Sequence, residues 1–367
     1  MSRQTSISDF FGTPRGSRRP QSNPRTSRQE ASTADSDATP SSSSRRPSSR
    51  QMSSASASGS RGGRGGGRGG YGRGGGNNPN NTRRNTNLAL VAKETLEVLP
   101  GILKEIPHIN AAYSIETDLA FLPPLTAADC PGFGAATIRV VNEDTINAAI
   151  DLAAKHTRAD GPVAILNLAS DKHAGGGWLK GARAQEEALC YRSSLALSLH
   201  KRYYPFRSGT TCLYTPDMVI IRGDSDSGHD LLVPEVAPTD LPVMSCISVA
   251  AIRNPDTRDV PGPKADRTGF HPSVEVFQAS DRILTKAKMR VAIRMAATQG
   301  HKLLVLGALG CGAFHNPPTD VAHCWGEVLA EPEFAGGWWK DVVFAVLDKR
   351  SEGNYEIFDE LLGGNKV

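Results

Sequence analysis

The chain of 367 residues has a formal net charge of +4, but residues 1–85 hold 15 arginines, no lysine and 4 acidic residues, a formal +11, which leaves −7 on the remainder. An arginine-rich tail on an acidic body is a tail suited to polyanions. The six cysteines (Cys130, Cys190, Cys212, Cys246, Cys311, Cys324) form no C-x-x-C pair, no apolar run reaches the ~18 residues of a membrane span, and no secretion-signal core stands at the N-terminus, so a structural zinc, a membrane anchor and an exported chain are not expected.

The tail opens on Gln4-Thr5-Ser6-Ile7-Ser8-Asp9-Phe10-Phe11. A polar segment has no reason of its own to carry Ile and two adjacent Phe. A short helical turn would set Ile7, Phe10 and Phe11 on one side as an apolar plug and leave Gln4 to hydrogen-bond at the edge of a pocket. The stretch resembles the Q-x-x-[ILM]-x-x-F-F box that docks on the replicative sliding clamp, matching it at every specified position. That resemblance implies the clamp as a partner; the alternative is an accidental hydrophobic cluster. From Gly12 to about Thr82 the chain is Ser, Arg, Pro, Gly and Asn, which cannot bury enough apolar surface to offset ordering entropy, so disorder is expected. Within it, Arg61 to Gly75 resembles an RGG box. Its guanidinium groups contact phosphates and stack on bases, while its glycines keep the strand pliable. RNA is therefore a candidate partner, and a plain flexible linker is the alternative.

Ordered structure is expected from Asn87, a plausible N-cap for a helix over Leu88–Glu105 that Pro100-Gly101 should kink or divide. After a Pro/Gly-rich connection, Leu122–Phe133, Thr137–Val141 reads as a strand and Glu143–Lys155 as a helix capped by Asn142. Val163–Leu168 is an apolar run and reads as a buried strand. It leads into Gly175-Gly176-Gly177 and then a helix over Glu186–His200, with Leu189, Ala196 and Leu199 on one face. Asp217–Arg222 and Val243–Ala251 are further strands. The long connection Asn254–Pro272 is expected to border the site. A helix over Ser280–Gln299 follows, with Leu284, Ala287, Val291 and Met295 on one face. The chain then reads as strand Lys302–Leu306, loop Gly307–Asn316, helix Thr319–Ala330 and strand Asp341–Leu347. Strands alternating with helices argue for a three-layer α/β sandwich.

Two strand-to-glycine-loop-to-helix passages stand out. In the first, three glycines let the backbone take positive φ and approach a ligand closely, with Gln185-Glu186-Glu187 at the start of the following helix. In the second, Leu303 to Phe314 offers backbone N–H groups as a concave nest suited to a diphosphate. Side by side, both would lie at the C-terminal edge of the sheet, where α/β folds bind ligands. Taken bare, Phe314 reads equally as a core aromatic and Asn167 as a turn former. His173 and His315 flank the loops as ordinary exposed histidines, and Cys311 has no base that marks it as a nucleophile. No cluster has metal-ligand spacing.

The pattern Gly-Gly-Gly-x7-Gln185-Glu186-Glu187, within ILNLASDKHAGGGWLKGARAQEEALCYRSSL, resembles the signature of the poly(ADP-ribose) glycohydrolases, in their compact bacterial and fungal branch. The likeness runs from about Leu88 to the C-terminus. It implies an α/β/α macrodomain with a mixed central sheet over 87–367, fronted by a helical cap (87–136) and preceded by the tail (1–86). It further implies that Glu187 protonates the leaving ribose oxygen and Glu186 holds substrate hydroxyls. Asn167 would hydrogen-bond a ribose, and Gly175, Gly176, Gly177 and Gln185 would shape the substrate site. Gly310, Cys311, Gly312 and Ala313 would cradle the diphosphate, with Phe314 against the ribose beside the scissile bond. Leu309 stands where the family pattern carries Trp. No cofactor or metal is implied. The polymer would be trimmed from its free end, the tail would suit polymer as well as RNA, and the setting would be nuclear, with the cytoplasm as the alternative. Two rivals remain open at this point: a macrodomain that binds ADP-ribose without cleaving it, and an RNA-binding protein whose body is a scaffold.

Overall fold

Alternate residues of the central strands face two different cores, and that two-residue period sets the layering. A computed structural model of the chain describes residues 79–262, 267, 269 and 271–367, with side chains from Asn87 onward. The clamp-like box (Gln4, Ile7, Phe10, Phe11) and the RGG box lie outside the described residues. Seven strands form one sheet in the order β1 (Ile115–Asp118), β4 (Thr211–Val219), β5 (Val243–Val249), β3 (Ala164–Leu168), β8 (Leu303–Leu306), β9 (Asp341–Ala345) and β2 (Ile138–Val141). The pairs β1–β4 and β4–β5 are antiparallel, and the other four are parallel, so the sheet is mixed as expected. On one face Ala164, Leu166, Leu304, Leu306, Val342 and Phe344 pack under α5 (Ala279–Thr298), α6 (Pro318–Leu329) and α7 (Asn354–Leu362). On the other, Ile165, Leu303, Val305 and Val343 pack with α1 (Pro79–Lys104), α2 (Thr145–Ala153), α3 (Gln185–Arg192) and α4 (Leu195–Ser198).

Several expected elements differ. The first helix begins at Pro79, so Asn87 is not its cap, and Pro100 lies inside one continuous helix. Burial of Leu99, Ile102 and Ile106 around Pro100 holds that turn against the body and outweighs the lost hydrogen bond. Asp144 caps α2, accepting from the N–H groups of Ile146 and Asn147, and Asn142 instead accepts from the Asp348 N–H. The helix expected over Glu186–His200 breaks after Arg192. Ser193 donates to the Leu189 carbonyl and Ser194 accepts from the Val219 N–H, and these side-chain bonds compete with the helical ladder. β4 starts at Thr211, six residues before the expected strand, and crosses a register shift between Thr215 and Met218. The connection from Asn254 contains β6 (Thr257–Pro261), which pairs with β7 (Ser273–Phe277) as an antiparallel hairpin. β1 and α7 were not expected. Among the described residues, no helix is long and apolar enough to cross a membrane and no group of His, Cys, Asp and Glu could hold a metal ion.

Candidate active site

β3 and β8 are adjacent parallel strands, so the loops that leave their C-terminal ends meet at one edge of the sheet. The β3 loop is bent by Gly175 and Gly176, at φ +69° and +59°, so that it folds back over the first turn of α3. A Cβ on Gly176 would stand 2.3 Å from Glu187 Oε1 and 3.1 Å from Glu186 Oε2; one on Gly175 would strike Trp178 and Cys190 at 2.8 and 2.9 Å. Gly177 closes the turn against Ala182, 2.8 Å from where its own Cβ would lie. Only glycine fits here, for reasons of space and of backbone conformation.

The two glutamates occupy different surroundings. The Gly177 N–H donates to Glu187 Oε1 at 2.7 Å and the Ala184 N–H to Oε2 at 3.1 Å, which fixes both oxygens in the first turn of α3. Glu186 is deeper, at 3 % exposure against 7 %. Its Oε2 accepts from the Ser170 N–H at 2.7 Å, and its Oε1 is buried without a partner. Burial pushes the Glu186 carboxyl up to about 8, against the pull of the Ser170 hydrogen bond, and the nearby Glu187 adds to the rise. At neutral pH Glu186 is mostly a neutral acid, so the pair does not carry two full charges.

Gln185 turns towards the strand. Its amide nitrogen donates to the Leu166 carbonyl at 2.7 Å and to Thr145 Oγ1 at 3.2 Å, and its oxygen accepts from the Leu168 N–H at 2.9 Å. It lines a cavity wall, yet its contacts fix α3 to the end of β3, which makes it a positioning residue. Asn167, expected to meet a ribose, is fully buried, lines neither cavity at this edge and donates to Ser248 Oγ at 3.0 Å. It lies inside strand β3, behind Glu186, because the chain leaves the sheet only after Leu168; the loop residue that faces the glutamate cavity is Ser170.

The β8 loop is organised by a residue the sequence did not single out. Asn316, buried, donates from its amide to the carbonyls of Ile252, Gly310 and Phe314 at 2.6, 3.3 and 3.2 Å. Those bonds hold Gly310, at φ +80°, and the exposed Gly312 and Ala313 as an open arc. Leu309 is buried in the core at the position of the missing Trp. The half-buried Phe314 carries the Arg253 guanidinium over its ring, 3.9 Å from the centroid, and Arg253 also went unnoticed in the sequence. Burial pushes the Cys311 thiol up, which works against a thiolate there.

Two cavities meet at this edge. The smaller, about 460 Å³, contains Glu186, Glu187, Gly176, Gly177, Ser170 and Arg253. The larger, about 500 Å³, runs over Gly310 to Phe314 towards Glu143, Tyr191 and Leu88. Leu168, Ala184, Ala313 and Phe314 line both, so the two are compartments of one elongated site. Helix α1 forms part of the roof: Leu88 lines the larger compartment, and Thr95 donates to the Tyr191 carbonyl of α3 at 2.9 Å. The rest of the expected cap does not reach the site. Leu122, Leu125 and Phe133 bond to Arg294, Glu333 and Gly337, near the opposite edge where β8 and β9 begin, so the cap is α1 and not all of 87–136.

Residues 108–222 match the family described as the catalytic domain of microbial-type PARG, poly(ADP-ribose) glycohydrolase. The fold is similar to the crystal structure of poly(ADP-ribose) glycohydrolase from Thermomonospora curvata, at 25 % identity and a TM-score of 0.54, over 74 % of this chain and 98 % of that one. It is also similar to poly(ADP-ribose) glycohydrolase from Deinococcus radiodurans in complex with ADP-ribose, at 29 % identity and a TM-score of 0.51, over 68 % and 94 %. No curated protein sequence matches the chain. The Gly-Gly-Gly loop, the paired glutamates and the glycine arc are thus assembled on one sheet edge in a chain that is similar, in its matched region and in its fold, to the microbial-type poly(ADP-ribose) glycohydrolases.

Proposed function

We propose that the chain hydrolyses the ribose–ribose O-glycosidic bonds of poly(ADP-ribose) from the free end and releases ADP-ribose. The observation that carries this reading is the elongated site, in which an arc of backbone N–H groups and a compartment with two glutamates are continuous through Phe314. The terminal adenosine fits the larger compartment under α1 and the diphosphate fits the arc from Gly310 to Phe314. The distal ribose then lies against Phe314 with its anomeric carbon over the glutamates. Glu187 gives its proton to the departing ribose oxygen as the C–O bond breaks, and the oxocarbenium-like carbon is stabilised by the substrate's own diphosphate. Glu187, now ionised, takes a proton from the water that attacks that carbon, which restores the acid. Glu186, as a neutral carboxyl, donates a hydrogen bond to a ribose hydroxyl. The roof that α1 builds over the larger compartment supports exo action, since an internal unit has no exit for its next ribose there.

Purified chain incubated with long polymer should yield ADP-ribose monomer early, and protein-linked chains should stop at a single residual unit. Glu187→Gln should lower turnover by roughly 10²–10⁴-fold or more while ADP-ribose still binds. Substantial turnover in that variant would place the acid elsewhere, and early free oligomers would refute exo action. For the tail, the Gln4–Phe11 box argues for docking on a sliding clamp and a nuclear setting, and the RGG box for contact with polymer or RNA. A Met1–Arg15 peptide that shows no affinity for the clamp by calorimetry would dismiss the first of these.

A further inference from the structure

Helix α1 roofs the larger compartment, whereas no described residue of α1 lines the glutamate compartment, which is open along the β3 loop. Once a terminal ADP-ribose fills the site, the rest of the polymer must leave over the open side, which is the rim of the β3 loop. That rim presents Lys172, His173, Leu179 and Lys180, all exposed. His173, Leu179 and Lys180 line the mouth of the glutamate compartment. Leu179, 58 % exposed, is an apolar side chain held outward on the short turn Trp178–Lys180, whose backbone bonds back to Gly175 and Gly177.

The charge of this rim differs from that of the surface around α5 and α6. Lysines and arginines of the surface around α5 and α6 are paired: Arg282 with Asp320 and Glu327, Lys286 with Glu327 and Glu331, Arg290 with Glu331. Lys172 and Lys180 make no ion pair among the described residues. The neighbouring Asp171 does not neutralise them, because its Oδ1 is turned inward and buried. Apart from the two glutamates, the compartment below holds no carboxylate, and Arg253 adds a further cation at its far wall. Two unpaired cations and an exposed apolar side chain on one rim offer contacts to a diphosphate and to the face of a base.

We propose that Lys172, Leu179 and Lys180 form a second subsite, which receives the ADP-ribose unit next to the terminal one, its diphosphate on the two lysines and a face of its adenine on Leu179. The proposal rests on the glycohydrolase reading above and adds to it a site for the leaving group. A leaving unit held there keeps its ribose oxygen over Glu187, so the subsite acts on polymer and not on released monomer.

The test compares ADP-ribose with a linear two-unit oligomer, using the full chain in the Glu187→Gln background so that the oligomer persists. The oligomer should bind more tightly than the monomer. Lys172→Ser with Lys180→Ser should remove roughly three- to tenfold of oligomer affinity, in line with exposed charge contacts. It should also flatten the salt dependence of oligomer binding by roughly 0.7 per lost phosphate contact in log–log slope. Leu179→Ser should weaken the oligomer without changing that slope. ADP-ribose affinity should be unchanged in both variants. An unchanged ratio of oligomer to monomer affinity overturns the subsite, as does an equal loss for both ligands. Failure of the glycohydrolase reading shows separately, as wild-type chain that leaves the oligomer uncleaved.

Discussion

Replacing Gly176 by alanine tests the geometry of the site at its tightest point. The added Cβ would lie 2.3 Å from Glu187 Oε1 and 3.0 Å from its Cδ, about 1 Å inside ordinary contact for the oxygen. The carboxylate must swing away, and its 2.7 Å bond from the Gly177 N–H goes with it. Alanine at φ +59° adds roughly 1–2 kcal/mol of backbone strain. A 1 Å displacement of a catalytic group is enough to lose about 10²-fold in rate. Gly176→Ala should therefore reduce kcat for ADP-ribose release by about 10²-fold, with thermal stability falling by only about 1–3 kcal/mol. The assay pairs single-turnover release from a short oligomer with a thermal melt. Turnover within threefold of the parent, in a variant that folds, would refute the claim that this close approach sets the position of Glu187.

Other expectations follow from the same contacts. Because the Glu186 carboxyl rises from 4.5 to about 8, the native state keeps a proton that the unfolded chain gives up, so this group's contribution is fully present below pH 4.5 and is lost as pH rises through 8. Glu186→Gln should therefore gain stability over the parent across that window, by an amount on the order of 4 kcal/mol at its upper end; parallel melting curves against pH would contradict this. Asn316→Ala leaves the Ile252 carbonyl without its donor and removes the side-chain tie to Gly310 and Phe314, whose carbonyls keep the N–H groups of Asn316 and Asn254, and should cost about 1–3 kcal/mol and weaken ADP-ribose binding measured by calorimetry. Gly101→Ala, in α1 with nothing near the new Cβ, should raise stability by roughly 0.5–1 kcal/mol and leave turnover unchanged, and a loss in the melt would show that the helix is not regular there.

The parts of the fold that sequence revealed are those whose physical demands are local. β3, β8 and β9 are short apolar runs, and each fills both faces of a parallel sheet, so little else fits them. The glycine loop was legible because a backbone pressed on carboxylates excludes every Cβ. Edge strand β1, with the polar run Ile-Glu-Thr-Asp, and the hairpin β6–β7 have no such pattern; their register comes from partners across the sheet. α7 had a trace in Ile357, Phe358, Leu361 and Leu362, but its start depends on Asp348, which accepts from the N–H groups of Glu352, Gly353 and Asn354. Asn167 stands one residue before the end of β3, and the pleat turns it inward, onto Ser248 and beside Glu186. Arg253 was invisible because it matters through Phe314, about 60 residues away, and Asn316 because its amide ties its own loop to Ile252, equally distant in sequence.

Adjacent glutamates on one helix would ordinarily be expected to share their surroundings, and the structure shows how a single residue step separates them. Successive helical positions point about 100° apart, so the α3 N-terminus aims Glu187 at the glycine turn and Glu186 back into the sheet. Glu187 meets two backbone donors at the open compartment. Glu186 meets one, with its second oxygen buried beside Asn167, and loses its charge to burial. A neutral Glu186 removes most of the repulsion that would otherwise act on its neighbour, and it can offer a hydrogen bond to a sugar hydroxyl where a carboxylate could only accept one. Division of labour between the two thus arises from the direction of two side chains and the depth of one, and both are fixed by the point at which α3 begins. Gln185 sets that point through its three bonds to β3 and α2. Under the proposed mechanism, the first residue of the Gln-Glu-Glu run acts on the reaction through the placement of the other two.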